Sequence, residues 1–158
     1  MSGRVVPDPA HTCADRVAKD LVTAAFRAIR GRYVQDRHQI AAAVLDADGR
    51  VHLGLHLDAM VGRAAVCAEA GAVSAARLVT DAELIAVAAV RYPKPTEPPL
   101  ARVVPPCGLC RELLLDHAPR LAVVLPGATS GLTPLAGLLP HKYVGTKWPT
   151  PQPSADQP

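Results

Sequence analysis

At 158 residues the chain has the length of one ordinary domain, enough to bury a core without staples. Apolar residues make up 49% and charged residues 20%, which excludes a mostly disordered chain; with aromatics at 3%, the core has to be built from Ala, Val and Leu. The net charge of +3, with Lys and Arg scattered along the chain, disfavours nucleic acid as a partner, and no apolar run is long enough to span a membrane.

Residues 1–11 are polar, carry two prolines and lack the apolar centre of a signal peptide, so they read as a flexible arm. The protein is expected in the cytoplasm, where its four cysteines stay reduced and favour metal binding or catalysis over disulfides. From Thr12, which can act as a cap, Val17, Leu21, Ala25 and Ile29 recur at helical spacing as far as Gly31. Ile40 to Leu45 is uniformly apolar and reads as a buried strand. Asp46-Ala47-Asp48-Gly49 is a turn signal. Val51, Leu53, Leu55 and Leu57 then alternate with His52, Gly54, His56 and Asp58, the pattern of a second strand that places His56 and Asp58 on one face.

The Ala-rich stretch from about Val66 to Val79 is predicted as a helix with Cys67 and Glu69 in its first turn. Leu84 to Val90 reads as a buried strand, and KPTEPP as an exposed loop. Pro105-Pro106 leads into a helix from about Cys107 to Ala118, stopped by Pro119. LAVVL is a further strand, TPLAGLL a short helix, and the Pro-rich residues 149–158 read as a disordered tail. Residues 12–148 therefore form the folded domain. Hairpin, helix, strand, helix, strand is an α/β order with helices on the faces of a sheet, and both cysteine clusters open helices that follow sheet elements.

Three thiolates at Cys67, Cys107 and Cys110 would leave a zinc ion one open tetrahedral position for water, whose pKa the metal lowers towards neutrality. Three thiolates also bring the centre to a formal charge of −1, which opposes ionisation of that water. Positive helix ends offset part of it, and Arg63 and Arg111 are candidates to donate hydrogen bonds to the sulfurs. Glu69, two residues after a ligand, is spaced to stand beside the fourth position without binding the metal and to shuttle protons to a substrate nitrogen. Two other readings stay open: a structural site with Cys13 as fourth ligand, and a redox-active Cys107-x-x-Cys110 pair. Cys13 otherwise reads as a small buried or incidental thiol, and His38, His52, His117 and His141 as surface or local-packing residues. Tyr143 and Trp148 are placed either against a neighbouring subunit or against the domain's own core.

Cys67-Ala68-Glu69 followed by Pro106-Cys107-Gly108-Leu109-Cys110-Arg111 resembles the cytidine deaminase superfamily, whose zinc signature is of this form. IAAAVLDADG resembles the family's first hairpin, and LLPHKY its C-terminal Leu-Pro-x-x-aromatic segment, so the resemblance covers roughly residues 17–145. It implies a three-layer α/β/α sandwich with a central mixed five-stranded sheet, and the small branch with cysteine as first ligand. It further implies one zinc ion per subunit on Cys67, Cys107 and Cys110, with Glu69 as proton shuttle. The backbone at Ala68 and at Pro105 to Cys107, Pro106 included, would contact the ring of a small-molecule substrate.

The implied reaction is hydrolytic deamination of a cytidine-like nucleoside in a homotetramer, with a homodimer as the alternative assembly. Where the family has a G-x-N-x-E-N segment for ribose, this chain has Gly54-Leu55-His56-Leu57-Asp58-Ala59. His56 and Asp58 are thus substrate-binding candidates whose changed chemistry points to a second substrate class: a nucleoside antibiotic of the blasticidin-S type, a free base or another aminated heterocycle. A zinc-stabilised binding protein without catalysis is the third reading.

Overall fold

The computed structural model describes residues 9–127 and 131–147. Helix α1 spans Pro9–Arg32, followed by the hairpin β1 (Ile40–Asp46) and β2 (Val51–Leu55). Helix α2 (Ala68–Arg77), β3 (Leu84–Arg91), the short β4 (Arg102–Val104), helix α3 (Gly108–His117) and the two-residue strands β5 (Ala122–Val123) and β6 (Thr133–Pro134) complete the regular elements, with 3₁₀ turns at Gly62–Ala64 and Leu135–Leu138. The sheet runs β2-β1-β3-β5-β6, with β4 also paired to β3. It is mixed: β3 and β5 are parallel, and every other pairing is antiparallel.

The expected α/β/α sandwich is present, with six strands where five were implied. Arg102–Val104, to which the sequence pattern assigns no element, is a strand of only three residues between prolines. Thr133–Pro134 opens the segment expected to be a short helix, which is a 3₁₀ turn only over Leu135–Leu138. Helix α1 starts at Pro9, so Thr12 lies inside it and residues 9–11 belong to the helix rather than to an arm. The expected tail and Trp148 lie outside the described residues.

Small residues let both faces of the sheet carry helices at close range. Ala41 and Ala43 of β1, with Ala86, Ala88 and Val90 of β3, meet Ala18, Leu21, Ala25 and Ile29 of α1. The intervening Ala42, Val44, Val87 and Ala89 meet Ala72, Val73 and Ala76 of α2 and Leu114 of α3. Period-two alternation of strand side chains produces this division. Alanine on both sides explains how a core with few aromatics still closes.

Strand β2 reverses the usual sense of its pattern. Its leucine face is the outer one, with Val51 and Leu53 nearly half exposed, while His52 is buried. His52 does have a partner: its Nε2 lies 2.8 Å from Oδ2 of Asp46, which is fully buried. Asp46 Oδ1 also accepts from the backbone of Asp48 (3.0 Å) and Arg50 (2.8 Å), so one carboxylate closes the hairpin turn. The alternating residues had suggested neither the buried side nor the pair.

Candidate active site

Gly54 sets the distance between β2 and α2. A Cβ at this position would lie 2.1 Å from both the Ala68 carbonyl oxygen and the Ala72 nitrogen. Only glycine lets the strand run directly against the first turn of α2. Beyond β2 the chain stays tied to the sheet, with His56 N–H donating to Ile40 O at 2.8 Å. Leu57 and Val66 then exchange backbone hydrogen bonds of 3.0 and 2.9 Å, which delivers Cys67 next to the end of the hairpin. On the other side, β4 runs antiparallel to the last residues of β3 and passes through Pro105 and Pro106 to Cys107.

Cys67 is the N-cap residue of α2 and Cys107 that of α3, and Cys110 is in the first turn of α3. Two helix N-termini thus converge, each placing partial positive charge at the sulfurs. Cys67 Sγ and Cys107 Sγ are 3.8 Å apart, and all three sulfurs lie within 4.8 Å of one another. Ligands about 2.3 Å from a tetrahedral zinc ion are separated by about 3.8 Å, so the spacing suits such an ion. Cys13 is exposed on α1, across the sheet, and takes no part in the cluster. The four-cysteine structural site therefore fails, and so does the reading of Cys13 as a buried thiol.

Burial pushes the Cys110 thiol far up, helped by the Glu69 charge and by Cys67. Burial also raises Cys67. Cys107 is lowered although burial opposes it, because the backbone N–H groups of Cys110 and Leu109 and the neighbouring thiols favour its charged form. Three thiolates this close need a cation to offset their mutual repulsion, and that is the chemistry of a metal site. Glu69 is buried, with Oε2 3.5 Å from Cys110 Sγ. A carboxylate thus adjoins the sulfurs, and the cluster of three contains no fourth protein ligand among the described residues.

Ala68 and Pro106 are both buried and flank the sulfurs in sequence on the two sides of the cluster. The Pro106 carbonyl accepts from Arg111 Nε at 3.0 Å, and Arg111 Nη1 donates to Leu138 O at 3.1 Å. Arg111 therefore ties the turn before α3 to the final 3₁₀ turn, and Arg63 stands exposed on the first 3₁₀ turn. Neither arginine donates to a sulfur among the described hydrogen bonds. His56 is half-buried with its Nδ1 enclosed and without a hydrogen-bond partner among the described residues, while its carbonyl accepts from His38 Nδ1 at 3.1 Å. His38 is thus held locally through a partner the sequence did not suggest. Asp58 is exposed, and its Oδ1 accepts from the Ala59 N–H at 2.8 Å. Gly54 and the carbonyl contacts of Arg111 were missed as site features. A glycine interrupting a strand pattern is the one signal that could have found the first.

A buried carboxylate beside three clustered thiols, on helices packed against a mixed sheet, fits a site for metal-assisted hydrolysis. The chain is 35% identical over 126 residues to blasticidin-S deaminase of Bacillus cereus, an alignment covering 78% of this chain and 90% of the relative. It is 32% identical over 112 residues to cytidine deaminase of Halalkalibacterium halodurans, covering 70% and 80%. The crystal structure of cytidine deaminase from Mycobacterium tuberculosis superposes with a TM-score of 0.66 at 30% identity, covering 80% of this chain and 96% of that one. No family model matches the sequence. The chain belongs to the cytidine deaminase superfamily and is an aminohydrolase of that type.

Proposed function

We propose that this protein is a zinc-dependent deaminase that hydrolyses the exocyclic amine of a cytosine-type ring carried on a sugar, releasing ammonia and the uracil-type product. The observation that carries this reading is the buried Glu69 carboxylate 3.5 Å from a sulfur of a three-cysteine cluster spaced for a tetrahedral ion. When bound to Cys67, Cys107 and Cys110, zinc supplies a water acidified towards neutrality. Glu69 takes a proton from the attacking water and passes it to the ring nitrogen. It then carries the second proton to the amine, which leaves as ammonia, and ends ionised as it began. The low exposure of Glu69 keeps that proton from bulk solvent. The backbone at Ala68 and Pro106 borders the polar edge of the ring. Arg111 holds that edge in place through Pro106, and its charge, with that of Arg63, partly offsets the thiolates.

His56 and Asp58 favour a second reading of the substrate. A histidine whose enclosed Nδ1 has no partner among the described residues, and an aspartate turned onto its own chain, do not reproduce an amide and a glutamate that hold a ribose. A blasticidin-S-type nucleoside is the alternative, supported by the curated relative of that name. An ammonia-release panel of cytidine, deoxycytidine, cytosine and blasticidin S separates the two: whichever class has the highest kcat/KM is the substrate class. No release from any of them contradicts the function.

Exposed Met60, Val61, Leu109 and Tyr143 lie on the segments that carry or adjoin the cysteines. They support assembly into a homotetramer, or a homodimer, which sedimentation equilibrium resolves. Four free cysteines suit a reducing cytoplasm. Among the described residues, no helix is long and apolar enough to cross a membrane.

A further inference from the structure

Helix α1 packs across β3 and β1 and leaves β2 on its flank, where a groove of about 790 Å³ opens between the end of the helix and the outer face of the strand. Arg27 and Arg32 of α1 and His38 supply its polar lining, and Val34 and Leu53 part of its apolar lining. No Asp or Glu lines it. Neither arginine has a carboxylate partner among the described residues, and Asp36, the acid nearest in sequence to Arg32, is 3.8 Å from Lys94. Tyr33 also lines the groove, and its buried hydroxyl has no hydrogen-bond partner among the described residues.

We propose that this groove is a second ligand site, separate from the cysteine cluster, for a small phosphomonoester bearing an apolar or planar organic group. Both arginines line the one groove, and planar guanidinium forks bind phosphate oxygens in bidentate fashion. The Val34 and Leu53 side chains give the organic group an apolar wall, and uncompensated positive charge excludes cationic ligands. Gly54 lines the groove from one side, and on the other it abuts Ala68 and Ala72 of the catalytic helix. His38, also in the groove, holds the carbonyl of His56. An occupant therefore sits one strand away from the site of deamination.

Phenyl phosphate is the probe, titrated calorimetrically into the assembled protein, with inorganic phosphate, phenol and benzoate as separate arms. Phenyl phosphate is expected to bind with a sub-millimolar Kd, inorganic phosphate and benzoate at least several-fold more weakly, and phenol not at all. Arg27→Gln/Arg32→Gln should weaken phenyl phosphate at least tenfold while leaving the melting temperature and ammonia release without ligand unchanged. Glu69→Gln, which alters the catalytic pocket alone, should bind the probe like wild type. No heat at millimolar probe, or equal affinity in the arginine variant, overturns the site. Loss of binding in Glu69→Gln places the probe in the catalytic pocket instead, and a changed sedimentation coefficient of the unliganded arginine variant makes the groove a contact between copies. Either result also overturns it.

Discussion

Replacing Gly54 by alanine tests the packing that positions helix α2. The added Cβ would sit 2.1 Å from Ala68 O and from Ala72 N, and 2.8 Å from Ala72 Cα, where ordinary contact starts near 3.4 Å. All three atoms are backbone, so no side chain can swing aside, and α2 must move away from β2 by roughly 1 Å or more. Overpacking of this kind costs about 1–3 kcal/mol. At this chain length that corresponds to a loss of roughly 2–12 °C in melting temperature. Cys67 and Glu69 move with α2, whereas Cys107 and Cys110 stay with α3. The sulfur spacing opens, and a displacement of this size costs on the order of 100-fold in turnover. Metal content per subunit, urea unfolding and ammonia release measure the three effects. Gly137→Ala is the control, because a Cβ there meets nothing within 4 Å. If Gly54→Ala kept wild-type melting, metal content and turnover, the strand–helix contact would not position the site.

Arg111→Ala loses both carbonyl bonds, to Pro106 and Leu138, and should lower kcat by about tenfold; lysine should not restore it, because a point charge cannot span two carbonyls. Leu114→Ala empties a fully buried position between α3 and the sheet and should cost about 2–5 kcal/mol in urea unfolding. The Arg91 guanidinium and then the Lys94 N–H hold the Glu97 carboxyl down, from an ordinary 4.5 to about 2. A depressed carboxylate contributes stability above its unfolded pKa and loses it as pH falls. The gap in urea midpoint between wild type and Glu97→Gln should therefore be full above pH 4.5 and close as pH falls towards 2. A gap independent of pH would contradict the Arg91–Glu97 pair.

The cluster of Cys67, Cys107 and Cys110 with Glu69 beside it was legible because its members lie in short runs. Cys67, Glu69, Cys107 and Cys110 declare themselves by spacing, and the prolines before Cys107 mark a helix start. The order of strands and helices followed from uniform apolar runs around small residues. What escaped were features made by distant contacts. Val51, Leu53 and Leu57 carry the apolar half of an alternating strand yet point outward, because His52 finds Asp46 and Gly54 admits α2 on the other face. Arg102–Val104 is a strand through its pairing with β3 rather than through its length or composition. Arg111 reads as a charge next to a ligand, but its side chain reaches Leu138, twenty-seven positions along the chain. No local pattern records that reach.

Glu69→Gln decides the central claim most directly, since glutamine keeps the shape of the side chain and removes its ability to take a proton. Zinc per subunit and ammonia release are measured on the same preparation, with Cys107→Ser alongside. Glu69→Gln should hold one zinc ion per subunit and release ammonia at least about 1000-fold more slowly than wild type, on the scale of general acid–base catalysis. Cys107→Ser should lose the metal and activity together. A Glu69→Gln protein that releases ammonia at the wild-type rate, or a wild-type protein that does so with no metal bound, would contradict the account.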